Sequence, residues 1–231
     1  MANLEIQNYD MGGVVIGNPL YDDGLLAFPG ADDYAKGTIL AFLLVAVGAV
    51  TADVGNTGNG TVTGFALSNV GEPPKVGNYN LECIVAVTNG GIFKLEDPDG
   101  NLVANNIEIN PAGAGLTVVY VGNGITFTIT DGTDFIVGDK FALAVAALNK
   151  WVIFNPAGVG GAEEPRGILT IAASAAGAGD VSVRPLIKGK VRTEKLVIDG
   201  GASVTDEIKN QLRKYSIFCI DVDELNVLDN Q

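Results

Sequence analysis

There is no histidine in this chain of 231 residues. That removes the commonest general base, the Ser-His-Asp triad and every histidine-ligated metal site. Cysteine is nearly absent too, with only Cys83 and Cys219 to supply thiols. Both stand in apolar runs, far apart in sequence, and read as buried free thiols. A disulfide between them requires the two segments to meet in space, which sequence does not decide. Basic residues are few, 14 against 27 acidic ones, for a net charge of −13. Such a chain is ill suited to general nucleic-acid binding or to docking on an anionic membrane. Long apolar runs are missing as well. The most apolar stretch, Ile39 to Val50, is shorter than the roughly 20 residues that cross a bilayer. The opening Met1-Ala-Asn-Leu-Glu-Ile6 has no basic and no long apolar region, so no signal peptide is expected.

What is abundant is glycine, 31 residues, about twice the usual share. Hydrophobic residues make up 47% and charged ones 18%, a balance that folds. The texture changes twice along the chain. Residues 1–20 read as an arm. Leu4, Ile6, Tyr9, Val14, Val15 and Ile16 are apolar or aromatic, while Gly12-Gly13 and Gly17-Asn-Pro19 interrupt them. Two readings stand: a frayed terminus, or a docking strand that adds to a partner's sheet. In residues 21–41, Asp22-Asp23-Gly24 and Pro29-Gly30 read as turns and Lys36 to Ala41 as a strand.

Residues 42–149 are rich in Gly, Asn and Thr, with short strands at regular spacing. These are expected over 43–47, 61–67, 80–87, 92–96, 116–121, 125–130 and 140–146. Ile125-Thr-Phe-Thr-Ile-Thr130 alternates with period two, and Val121-Gly-Asn-Gly124 is a hairpin signal. No helical pattern appears, which suggests a small β-sandwich. Its 3 basic and 10 acidic residues give −7, an acidic module of its own.

From Lys150 the strands 150–154, 168–173, 181–187 and 191–198 are expected, then a helix over 204–214 and a strand from Ser216 to Val222. Ser203 is the expected N-cap. Asp206 and Glu207 near the helix start and Arg213 and Lys214 near its end suit the macrodipole. Ile208 and Leu212 form its buried stripe. Fold class is therefore mainly β, an α+β chain with one C-terminal helix.

Chemical motifs have ordinary readings. Asp97-Pro-Asp-Gly-Asn101 resembles the start of a calcium loop, but Leu102 stands where that loop needs glycine, so a hairpin turn is expected. The Gly-x-Gly pairs lead into no helix and lack the Gly-Lys-Ser/Thr ending. Asp22-Asp23, Asp32-Asp33 and Glu163-Glu164 read as solvated acids. No catalytic residue, metal site or cofactor is expected. Eight of the 14 basic residues lie between Arg184 and Lys214. Arg184 stands near the alternating Lys188, Lys190 and Arg192. This stripe is either a contact for an acidic partner or a solvated face balanced by the acidic tail.

Two blocks carry a family resemblance. The first is Ala31-Asp-Asp-Tyr-Ala-Lys-Gly-Thr-Ile-Leu-Ala41. The second runs from Lys150-Trp-Val-Ile-Phe-Asn-Pro156 through Arg166-Gly-Ile-Leu-Thr-Ile171, Val181-Ser-Val-Arg184 and Lys188-Gly-Lys-Val-Arg192 to the Ala202–Glu207 helix start and the strand Ser216 to Ile220. Together they resemble the head decoration proteins of tailed bacteriophages, the family of the lambda capsid decoration protein. Between them, Gly55–Thr61, Tyr79–Cys83, Asn89–Phe93, Asp97–Gly100 and Asp131–Gly138 are similar to an insertion found in many such phage proteins.

The resemblance implies a discontinuous decoration core, 21–41 with 150–231, interrupted by an inserted β-sandwich-like domain at 42–149. It implies a virion protein made in the host cytoplasm. This would sit as homotrimers at three-fold positions on the outer surface of the expanded capsid, stabilising it against packaged DNA. The partner would be the major capsid protein, met by the arm of residues 1–20, with no catalysis, nucleic-acid contact or membrane. A rival expectation is a surface adhesin whose inserted domain binds glycans of the bacterial envelope.

Overall fold

The computed structural model describes residues 13–110, 116–132 and 134–221. Among these residues the fold is mainly β with one α-helix, and antiparallel pairing dominates. The chain divides into two compact units: residues up to Leu43 together with those from Lys150 onward, and residues Leu44–Asn149.

The first unit begins with β1 (Val15–Tyr21), β2 (Gly24–Phe28), β3 (Asp32–Tyr34) and the long β4 (Ile39–Ala52), whose first residues belong to it. The second unit contains β5 (Thr61–Leu67), β6 (Gly77–Val87), β7 (Gly90–Glu96), β8 (Leu102–Ile109), β9 (Thr117–Gly122) and β10 (Ile125–Thr130). Strand β11 (Lys140–Ile153) then returns the chain to the first unit. There β12 (Gly167–Ile168), β13 (Ala173–Ala175), β14 (Gly179–Val183), β15 (Leu186–Arg192), α1 (Asp206–Lys214) and β16 (Ile217–Ile220) follow.

The first unit is built around apolar strands buried on both faces. Side chains alternate across a strand. Accordingly Ile39 and Ala41 of β4 enter one core with Phe154, Leu186, Val191, Ile208 and Leu212. The intervening Leu40 enters a second with Leu26, Phe28, Tyr34, Trp151 and Leu169. That is why Ile39-Leu-Ala-Phe42 reads as an unbroken apolar run. Each fully buried Leu or Ile contributes about 1.5–3 kcal/mol.

In the second unit, β6, β7 and β8 pair antiparallel in order after the first half of β11. Strands β5, β10 and β9 form a separate three-stranded sheet in that spatial order. Side chains from both sheets, among them Leu81, Phe93, Phe127, Ile129 and Leu143, meet in one apolar cluster. The β9–β10 hairpin turns on Asn123 (φ 52°) and Gly124 (φ 73°). Positive φ at both central residues is a type I′ turn, whose twist matches the strands it joins.

Several local expectations are corrected. Gly24–Phe28 is a strand rather than the tail of a turn, because Leu26 and Phe28 are core residues. The strand expected over 181–187 is two strands, parted at Pro185, which has no N–H for a ladder. The strand expected over 168–173 ends at Ile168, and Ile171 is exposed. The strand expected over 191–198 ends at Arg192 in a short 3₁₀ turn, Thr193–Lys195. The helix N-cap is Thr205, whose hydroxyl accepts from the Ile208 N–H, and not Ser203.

Candidate docking surface

Strand β15 lies between β1, antiparallel on one side, and β16, parallel on the other. Residues directly opposite across neighbouring strands share a face. Lys190 therefore stands in one row with Ile16 of β1 and Phe218 of β16. Lys188 stands opposite Leu20. Leu20 is 54% and Phe218 43% exposed, and both lysines are exposed. The result is a solvent-facing surface in which two ammonium groups stand among large apolar side chains. Strand β1 pairs with β15 alone among the described residues, so its other edge is open. Gly17 (φ 85°) and a register shift between Ile16 and Leu20 kink that edge.

The other basic residues of the stripe go elsewhere. The Arg184 guanidinium lies 5.4 Å from the centre of the Tyr21 ring and 3.4 Å from the Asp23 carboxylate. Its side chain is solvent-exposed, so that ion pair is weak. Arg192 is buried, with Nη1 3.8 Å from Glu194, and its backbone N–H donates to the Val14 carbonyl. Its expected place on one exposed face with Lys188 and Lys190 is thus corrected. The end of β15 closes into the core, where Val191 and Arg192 are both buried.

The arm is also redrawn. Val14 is buried in the core beside Val191, while Val15 and Ile16 pair with Val191 and Lys190. These three residues have a partner in their own chain, so the arm expected over residues 1–20 belongs, from Val14 onward, to the first unit's own fold. Leu4, Ile6 and Tyr9 lie outside the described residues. Leu20 and Phe218 belong to this surface without being among the residues that the sequence marks. For Phe218 the signal was alternation: Ile217 is buried, so its neighbour points outward.

The remaining candidates hold structural interactions. The Asp97 loop is the β7–β8 connection. Lys75 Nζ lies 2.6 Å from a carboxylate oxygen of Asp97 and 2.6 Å from one of Asp99. Asp97 Oδ1 accepts the backbone N–H groups of Asp99 and Asn101. Lys75 thus stands where a cation would, and it holds the Asp97 carboxyl well below the usual carboxylate range. Glu164 accepts from Arg166 and from the Tyr215 hydroxyl, and its carboxyl is lowered chiefly by Arg166. Asp22, Asp23, Asp32 and Asp33 are exposed. Both cysteines are free, and burial raises both thiols, that of Cys83 to about 11. Neither is primed as a nucleophile. Among the described residues no group of three or more acidic or cysteine side chains is placed to hold a metal ion.

A cavity of about 540 Å³ opens in the first unit, lined by Phe28, Pro29, Tyr34, Phe154, Pro156 and Asp199 among others. The Tyr34 hydroxyl is raised to about 12, first by burial and then by Asp32. A phenol so raised is a poor acid near neutral pH, and the other acidic side chain of the lining is Asp199. Among the described residues no helix is long and apolar enough to cross a membrane.

No protein-family model matches the chain. No curated protein matches it either. Among solved structures, two crystal forms of FlgL from Xanthomonas campestris share 19% identity with it at a TM-score of 0.33. The match covers 47% of this chain and 33% of FlgL. A likeness of that size carries no argument about fold or function.

Proposed function

We propose that this chain is a structural protein of a tailed-phage head, a decoration protein that binds the outside of the expanded capsid. On this reading the first unit is the decoration core, and residues 42–149 are an inserted β-sandwich-like domain. Copies sit as homotrimers at three-fold positions and hold neighbouring coat subunits against the pressure of packaged DNA. The observation that carries the reading is the surface around Lys190. An open-edged strand, β1, borders a face where Ile16, Leu20 and Phe218 surround two lysines. An acidic, partly apolar segment of a partner can pack on that face, its apolar side chains against Leu20 and Phe218 and its carboxylates on Lys188 and Lys190. The lysines favour an acidic partner and steer its approach. Many weak copies on a repeating lattice bind with high avidity, so no single contact need be strong.

The test is co-sedimentation with expanded, undecorated shells of the phage that encodes the protein. Three forms are compared: the full chain, a chain lacking residues 1–12, and the double variant Lys188→Glu, Lys190→Glu. The expected result is saturable binding by the full chain, weakened at least tenfold by either change. No binding of the full chain to expanded shells would overturn the reading.

A further inference from the structure

The three-stranded sheet of the second unit carries no charged residue in any strand. Its outward face is laid out in rows by the register. Thr61, Thr130 and Thr117 form one row, Thr63, Thr128 and Val119 the next, and Ala66, Thr126 and Val121 the third. In a unit of net charge −7 this is an uncharged surface.

The edges of the sheet differ. Proteins ordinarily guard an open strand edge with a bulge, a proline or a charge. Strand β5 has Gly64 at φ 63°, and its register shifts between Thr126 and Thr128 of its partner. Strand β1 has Pro19 and a register shift, and β8 has Glu108 and two shifts. Strand β9 has none of these. Its six residues pair with β10 without a break, and it pairs with no other strand among the described residues. Val119 and Val121 on its outward face are 61% and 49% exposed.

We propose that β9 is an interface at which two copies of this chain pair antiparallel, joining their three-stranded sheets into one across a two-fold axis. A two-fold contact uses the same patch on both partners, and an uncharged strand is self-complementary in that sense. The charge distribution selects the occupant. A basic partner would be drawn to the unit's exposed carboxylates, such as Asp53, Glu72 and Glu108, and would gain nothing from β9. The second units of two copies, each of net charge −7, repel one another except where charge is missing. The dimer is weak, because one pair of edge strands buries little surface. It strengthens with salt, which screens the repulsion between the copies.

Sedimentation velocity of the full chain across a thousandfold concentration range, at low and high sodium chloride, tests this. The expected result is concentration-dependent dimerisation that is several-fold tighter at high salt. Val119→Lys is expected to weaken it at least tenfold, while Thr63→Lys on β5 leaves it unchanged. Hydrogen exchange, read on the wild type, checks the location independently of any variant. Residues 116–123 are expected to gain protection as concentration rises, and residues 61–67 are not. A chain that stays monomeric at the highest concentration in both salts would sink the proposal. So would a dimer that weakens with salt, equal loss with Thr63→Lys, or protection that rises outside β9 alone.

Discussion

Gly24 lies so close to Trp151 that a methyl group on its Cα would fall 2.7 Å from Cδ1 of the indole. On another part of the same ring, Gly167 is equally close to Cζ3. The indole is buried and meets Phe42 edge-on at 5.0 Å, so it has no room to withdraw. Gly24→Ala is expected to destabilise the first unit by about 1–3 kcal/mol, the usual cost of overpacking. Gly30→Ala, which meets open space at an unstrained φ, should be nearly neutral. Trp151 is the only tryptophan, so its fluorescence follows the unfolding of this unit alone. Equal urea midpoints for the two variants would contradict this packing argument.

The Lys75 clamp makes a pH prediction. Lys75 first, and then the backbone N–H groups of Asn101 and Asp99, hold the Asp97 carboxyl below its ordinary range. A carboxyl lowered in the folded state adds stability that is full above its unfolded pKa, near 4, and is lost as pH falls through the folded value. Lys75→Met removes the largest of these causes. Carbon NMR of the Asp97 carboxyl should then show it titrating at higher pH, nearer the ordinary range, and acid unfolding should begin earlier. An unmoved titration would mean that the backbone N–H groups and the Asn101 amide alone set it.

Asp131 behaves in the opposite sense. It is buried, Oδ2 has no hydrogen-bond partner, and burial raises its carboxyl. Above its folded pKa the fold therefore holds a poorly compensated charge, and stability falls as pH rises through that value. Asp131→Asn keeps an oxygen for the Gly132 N–H and removes the charge. A neutral amide without a partner costs less than a carboxylate without one. The variant should gain on the order of 1 kcal/mol at neutral pH, a gain that vanishes in acid where the wild type is protonated. A loss at pH 7, measured by thermal unfolding, would show that the charge has a compensating group.

Legibility in the sequence followed how local each determinant is. Thr61–Leu67 and Ile125–Thr130 were read at their bounds, because alternation and an Asn-Gly turn act within a few residues. The changes of texture near residues 42 and 149 lie beside the points where the chain divides. Strand β2 was not legible. Only Leu26 and Phe28 mark its buried face, and turn residues flank it on both sides. At the docking surface, the alternation of Lys188 and Lys190 was visible. The burial of Arg192 was not, since it depends on Val14 closing over the end of β15 from a remote part of the chain. The row joining Ile16, Lys190 and Phe218 is likewise a product of strand order, which no local pattern encodes.

The start of α1 shows the same limit and offers a direct comparison. Ser203 and Thr205 are both residues that cap helices well, and each precedes an acidic residue that suits the first turn. Only Thr205 has extended backbone (φ −81°, ψ 164°) immediately before the helix, with its hydroxyl 3.4 Å from the Ile208 N–H. Ile208 is buried against the core, so the turn that this bond closes is also the turn that packs. Thr205→Ala is expected to cost about 1 kcal/mol, and Ser203→Ala, at an exposed position before the cap, within about 0.5 kcal/mol of nothing. Urea unfolding followed by Trp151 fluorescence resolves the two, because α1 and Trp151 belong to one unit. If the serine variant proved the more damaging, the helix would begin a half-turn earlier in solution, and Val204 rather than Ile208 would lead its buried stripe.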